Sequence, residues 1–140
     1  MNTAERKQQM YQAIQQARLL DQVKEITPEL IQTYPGFAWV KRYAPETRSY
    51  YVILLSEMYV SKLLGPKVIE YIGKTDFDFW PADIAAAFYA NDEQARMGEP
   101  AFVKEAFKSP LTGVAGVFDG VKWSFKIRDV TYVAGIGRVL

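Results

Sequence analysis

Between Val121 and Arg128 apolar and polar residues alternate without a fault: Val121, Trp123, Phe125 and Ile127 share one parity, and Lys122, Ser124, Lys126 and Arg128 the other. Side chains of a strand point to opposite faces in turn, so period two belongs to a strand, whereas a helix would scatter it round its axis. The chain must therefore build a sheet with two unlike faces. The aromatic side is expected to face a core, and Lys126 and Arg128 to face solvent or a partner; with the opposite register that basic side would suit an anionic ligand. Asp119-Gly120, just ahead, reads as the turn that opens this strand. Residues 131–139 give a closing strand, in which Gly135 and Gly137 leave room for close approach.

Two earlier strands are predicted at residues 37–43 and 50–55, joined by a loop containing Pro45. The second is apolar on both faces. An antiparallel strand with one wet face would alternate, so its outer side must be covered, by the amino-terminal segment or by a partner subunit. Residues 57–106 turn mainly helical. Ser56 caps a short helix that Gly65-Pro66 stops. Pro81 takes the first position of the best-defined helix, Asp83 lies in its first turn, and Gly98 ends it as a left-handed cap. A third strand is predicted at 102–107, and residues 4–26, rich in good helix formers, give an amino-terminal helix. That helix packs on its own domain or is shared with a second subunit. Strand and helix do not alternate along the chain, so parallel winding is excluded and an α+β fold with helices grouped on an antiparallel sheet follows.

Composition removes several chemistries. The 140 residues contain no histidine and no cysteine. A Ser-His-Asp triad, a histidine zinc site, a His-ligated haem, a thiolate nucleophile and a cysteinyl–flavin adduct are all excluded by counting. Seventeen basic residues against sixteen acidic ones, scattered along the chain, give no basic patch for nucleic acid. No basic amphipathic segment marks a membrane surface. The first residues lack the apolar core of a signal peptide, and the apolar run at 50–55 is too short to span a bilayer, so a cytoplasmic protein is expected.

Gly73-Lys74-Thr75-Asp76-Phe77-Asp78-Phe79-Trp80-Pro81 lies at the centre of the helical region. Read from the residues alone, Gly73 permits a turn, Thr75, Asp76 and Asp78 can accept from free amides at helix starts, the aromatic residues supply core volume and Pro81 opens a helix. The same stretch resembles the signature of bacterial PAS domains. Residues 56–65 upstream, Ala85, Tyr89, Asp92-Glu93 and Gly98 downstream, and Trp123, Lys126 and Val133 to Arg138 at the end resemble further PAS elements. Ser56 stands where asparagine is common, and the loop at 44–49 is longer than the usual turn. The chain runs only two residues past Arg138, which favours a stand-alone PAS protein.

The resemblance implies a PAS-like fold at residues 29–140: about five antiparallel strands, helices inserted between strands two and three, and a helical cap at 1–28. It further implies a sensory or signalling domain without catalysis, binding a small molecule or a protein partner and forming a homodimer through the amino-terminal helix and the outer sheet face. Residues expected to line a ligand pocket are Trp39, Tyr51, Tyr59, Phe79, Trp80, Tyr89, Trp123 and Phe125. The resemblance admits a non-covalent flavin or a small metabolite and requires no cofactor. Two other functions compete: a pure interaction or dimerisation module with a filled core, and a small α+β isomerase-type enzyme. The enzyme is disfavoured because the acidic residues sit mostly at helix starts and turns, with none placed in an apolar strand interior.

Overall fold

The computed structural model describes Ile31 and residues 33–98 and 100–140; the expected amino-terminal helix and the 1–28 cap lie outside the described residues. Five antiparallel strands form one sheet: β1 (Phe37–Ala44), β2 (Ser49–Leu55), β3 (Ala101–Lys108), β4 (Ala115–Ile127) and β5 (Val130–Val139). Their spatial order is β2-β1-β5-β4-β3, so the first strand pairs with the last. Helical segments fill the chain between β2 and β3. A short helix α1 (Glu57–Tyr59) runs into a π turn at Val60–Leu64 and a 3₁₀ stretch at Gly65–Glu70. Then come α2 (Asp76–Phe79) and the long α3 (Ala82–Met97). No helix among the described residues is long and apolar enough to cross a membrane.

Local chemistry sets the joints. Fully buried Ser56 accepts from the Tyr59 amide at 3.3 Å and the Ala38 amide at 3.0 Å, and donates to the Gly36 carbonyl at 2.7 Å. One hydroxyl thus starts α1 and ties it to β1, without the asparagine common at that place. Gly73 takes φ +82°, where a Cβ is disfavoured. Asp78 Oδ2 accepts from both the amide and the hydroxyl of Thr75, at 3.1 and 3.0 Å, closing the start of α2.

Both faces of the sheet are buried. Phe37, Trp39, Val52, Leu55, Phe118 and Val133 belong to the core under the helices. Ala38, Val40, Val121, Trp123, Phe125, Ala134 and Ile136 belong to a second cluster on the other face. A bulge reconciles β2 with this division. Val40 pairs with Leu54 and Lys41 with Val52, leaving Ile53 extra. Val52 and Leu55 therefore face the helices, while Ile53 and Leu54 pack together on the outer cluster. That is why the strand reads as apolar throughout.

Three local expectations are corrected. Asp119-Gly120 lies inside β4, paired with Lys104 and Val103, and the turn before β4 falls at 109–114, where Gly113 has φ +75°. Gly98 has extended backbone, φ −157°, rather than a left-handed one, and Pro81 precedes α3 instead of opening it. Gly120 serves packing: a Cβ there would stand 2.2 Å from the Ile136 carbonyl oxygen and 2.5 Å from the Phe118 ring. Gly135 does the same for Trp39, whose indole carbons would lie 2.3 Å from an added Cβ. We predict that Gly135→Ala, which must displace that indole, costs about 1–3 kcal/mol in urea unfolding. Gly98→Ala, whose nearest neighbour would be 3.7 Å away, should change stability far less; equal effects would remove the packing explanation.

Candidate functional site

The inner face of the sheet carries charge where alternation puts apolar residues. Lys41 shares the parity of Phe37 and Trp39 in β1, Glu105 that of Val103 and Phe107 in β3, and Lys122 that of Phe118 and Gly120 in β4. All three are buried beneath α3, which contributes Asp92, and α2, which contributes Asp76. Lys41 Nζ lies 2.6 Å from Asp76 Oδ2 and 2.9 Å from Asp92 Oδ2. Lys122 Nζ lies 3.0 Å from Asp92 Oδ1, 2.6 Å from Glu105 Oε2 and 3.4 Å from the Phe88 carbonyl. Asp92 thus links the two lysines, and Asn91 donates to Glu105 at 2.9 Å.

A hydroxyl chain continues from Asp76. Tyr71 donates to Asp76 Oδ1 at 2.5 Å and accepts from the Trp80 indole at 3.1 Å and from Tyr59 at 3.5 Å. Burial works against the charged form of Asp92, but Lys122 and Lys41 outweigh it and hold the carboxyl below the ordinary range. Burial likewise opposes the charge on Lys41, and Asp76 and Asp92 overcome it, raising the ammonium above its usual value. Tyr59 and Tyr71 are raised chiefly by burial, Tyr71 further by Asp76.

An interior cavity of about 30 Å³ adjoins this network, walled by Phe37, Trp39, Lys41, Tyr59, Leu63, Tyr71, Trp80, Phe88, Glu105, Phe107, Phe118, Lys122 and Val139. Drug-sized ligands fill pockets of roughly 300–1,000 Å³, so with these rotamers the cavity holds a few heavy atoms at most, and a flavin does not fit. Trp39 is 6% exposed, yet its indole N–H has no acceptor among the described residues. On the far side of the Asp76–Lys41–Asp92 bridge lies a wider pocket of about 270 Å³, open at the surface and lined by Thr47, Arg48, Ser49, Tyr50, Thr75, Asp76, Phe77, Tyr89 and Asp92.

Of the residues expected at the pocket, Trp39, Tyr59 and Trp80 line the interior cavity. Phe79 lies behind its wall, 4.6 Å from the Tyr71 ring and 5.2 Å from Trp80, between ring centroids. Tyr89 lines the wider pocket, and Tyr51 lies under the Arg42 guanidinium at 5.5 Å, away from both. Trp123 and Phe125 fall on the other face of the sheet, because the aromatic parity of β4 belongs to the outer cluster. The basic parity of β4 turns inward at Lys122 alone; Lys126 and Arg128 are exposed, Arg128 in the tight turn to β5 at φ +49°. Glu105 also corrects the expectation that no acidic residue occupies an apolar strand interior. The missed residues had a signal: in β1 and β3 the inward charge occupies a slot whose neighbours of the same parity are large and apolar.

No family model and no curated protein matches the chain. Solved structures do. The PAS domain of Bordetella pertussis BvgS superimposes with a TM-score of 0.59 at 14% identity, over 88% of this chain and 87% of that one. The PAS domain of an HTR-like protein from Haloarcula marismortui gives 0.56 at 11% identity, over 81% and 93%. Vibrio cholerae VqmA gives 0.57 at 18% identity, over 88% of this chain and 52% of that one.

The buried network predicts two pH limits. Asp92, with its depressed carboxyl, contributes stability that is present above about pH 4, its unfolded value, and lost as pH falls through the folded one. Lys41, Tyr59 and Tyr71, all raised, contribute stability that is whole below about pH 10 and declines as pH climbs from there. Asp92→Asn should cost about 3–5 kcal/mol in urea unfolding, because two buried lysines lose a charged partner, and should flatten the acid limb of the melting-temperature profile. An unchanged acid limb would show that Asp92 does not govern it. The strand order, the helices inserted between β2 and β3 and the nearly full-length likeness to two PAS structures together make this chain a PAS-fold domain.

Proposed function

We propose that this domain is a sensory or signalling module that binds a small molecule of a few heavy atoms in its interior cavity and performs no catalysis. The observation that carries the reading is the cavity's wall: an aromatic cage with buried charged groups at one side. PAS-fold neighbours point the same way. Wild-type Drosophila melanogaster Cycle PAS-B, at a TM-score of 0.53 and 11% identity, carries bound ethylene glycol, and a variant of it in which one tryptophan is alanine, at 0.54, carries bound glycerol.

Charge balance argues against catalysis. A general acid or base works best with a pKa near the operating pH. Asp92 is held in the opposite direction by two lysines, and Asp76 and Glu105 are each engaged by an ammonium. A homodimer formed through the amino-terminal segment and the outer sheet face belongs to the same proposal. Val40, Val121, Trp123 and Ile136 on that face are buried, while Ile53, Leu54 and Tyr132 beside them are only half-buried and leave apolar surface for a second copy.

A pure interaction module is the second reading, favoured by how little interior space the cavity leaves. Native mass spectrometry of the purified protein, set against its denatured mass, separates the two. A dimer carrying extra non-covalent mass is the expected result and would yield the ligand's mass. A dimer at bare polypeptide mass shifts the assignment to the interaction module, and a bare monomer overturns dimerisation.

A further inference from the structure

We propose that the open pocket between the β1–β2 loop and α3 is a second ligand site, apart from the interior cavity, and that it takes an α-amino acid with an apolar side chain. The loop at 44–49, longer than the usual turn, builds one wall through Thr47, Arg48 and Ser49. Tyr89 of α3 donates to the carbonyl of Arg48, which has φ +53°, at 2.8 Å and so ties the loop to the helix. The pocket holds about 270 Å³, a little below the roughly 300–1,000 Å³ of drug-sized sites and enough for a metabolite. Three rings line it. Tyr50 and Tyr89 meet at 73° with centroids 5.6 Å apart, and Phe77 and Tyr89 at 59° and 5.9 Å. Rings inclined so steeply stand as walls rather than as a stack. Phe77 is 53% exposed and leaves apolar surface for a ligand's side chain to cover.

The polar groups divide into an acceptor side and one cation. Ser49 donates to the Thr47 carbonyl at 3.3 Å, and Thr75 to Asp78 Oδ2 at 3.0 Å. Carbonyl and carboxylate oxygens only accept, so these protons, like that of Tyr89, are committed and the hydroxyl oxygens remain as acceptors. Asp76 lines this pocket and not the interior cavity, so the small part of it that is exposed lies here. Tyr71 and Lys41 fill one acceptor position on each of its oxygens, out of about four that a carboxylate has. Arg48 supplies the cation, and its guanidinium has no carboxylate partner among the described residues. Partial burial and the Glu93 charge raise the Tyr89 hydroxyl while the Arg96 and Arg48 charges oppose them, which puts the Arg48 charge beside the pocket. The Thr47 hydroxyl can serve either kind of group. A plain amine would meet the guanidinium, and a plain carboxylate the acceptor side. An ammonium and a carboxylate on one carbon satisfy both, and the carboxylate can take the guanidinium fork in two parallel hydrogen bonds.

L-Leucine, isopentylamine and 4-methylpentanoate are the probes: one skeleton with both charges, with the amine alone and with the carboxylate alone. In a chain carrying ring-labelled phenylalanine, Phe77→Ala assigns the Phe77 NMR signals. Leucine should move them saturably, half-saturating about tenfold or more below the other two, the value of one charge-assisted hydrogen bond. In Arg48→Gln, leucine should lose its advantage over isopentylamine. Equal saturation by isopentylamine would make the ligand a plain cation, and equal saturation by 4-methylpentanoate a plain anion; either overturns the class. If leucine shifts only Phe37, Phe88, Phe107 or Phe118 of the interior cavity, or if no probe moves Phe77, this pocket is not a ligand site. The reading of the interior cavity is judged separately, by native mass spectrometry. Should Arg48→Gln displace the loop, the titrations of the unaltered chain decide.

Discussion

Asp92 accepts from Lys41 with one carboxylate oxygen and from Lys122 with the other, entirely out of contact with water. The rest of the interior is arranged around that bridge. Isolated charges do not persist in such surroundings, so each lysine needs its second carboxylate, Asp76 or Glu105. The five groups come from β1, α2, α3, β3 and β4, which makes the bridge a fastener between the helical insertion and the inner face of the sheet. Well-packed apolar residues often match the stability of a buried ion pair. What the charged version adds is direction: α3 has one position over the sheet at which both lysines meet their partners.

The aromatic cage depends on the same arrangement from the other side. Trp39 and Phe118 meet with ring centroids 4.7 Å apart on a floor where Gly120, Gly135 and Gly137 carry no side chains. Flat rings against bare backbone leave little empty volume, which is why the cavity is small. Its polar edge is the Lys41–Lys122 side of the network, with the Lys122 ammonium 5.7 Å from the centre of the Trp39 ring. A change in the charge network and a change in the cavity are therefore hard to separate physically, and a molecule bound in the cavity has a direct route to α3. From there Glu93 and Arg96 reach Tyr50 of β2, at 2.5 and 2.8 Å.

Much of the architecture was legible before any coordinates. Five strands, the helical region between β2 and β3 and the long helix ending at Met97 follow from period, proline and helix-forming stretches. What misled were residues whose local chemistry admits two uses. Asp119-Gly120 has the composition of a turn, yet Gly120 is there because Phe118 needs the space. The apolar run of β2 has no period because a bulge turns two successive residues the same way. Trp123 and Phe125 look like core because they are aromatic and evenly spaced. They are buried, but on the outer face.

The sequence by itself determined the alternation of β4, the α+β order and the absence of histidine and cysteine chemistry, because each rests on neighbours along the chain or on simple counting. It could not determine which parity of β4 meets the helices. Local physics favours burying the ring-bearing side, and a lysine turned inward is unfavourable until its counter-charges are in place. Those counter-charges stand 30 residues before Lys122 at Asp92 and 17 before it at Glu105, on elements that approach it only when the sheet and α3 are assembled. The tertiary structure alone brought Asp92 and Glu105 to Lys122, and with them the polar edge of the cavity. The free energy of burying a charge belongs to the whole cluster of partners and to no stretch of chain.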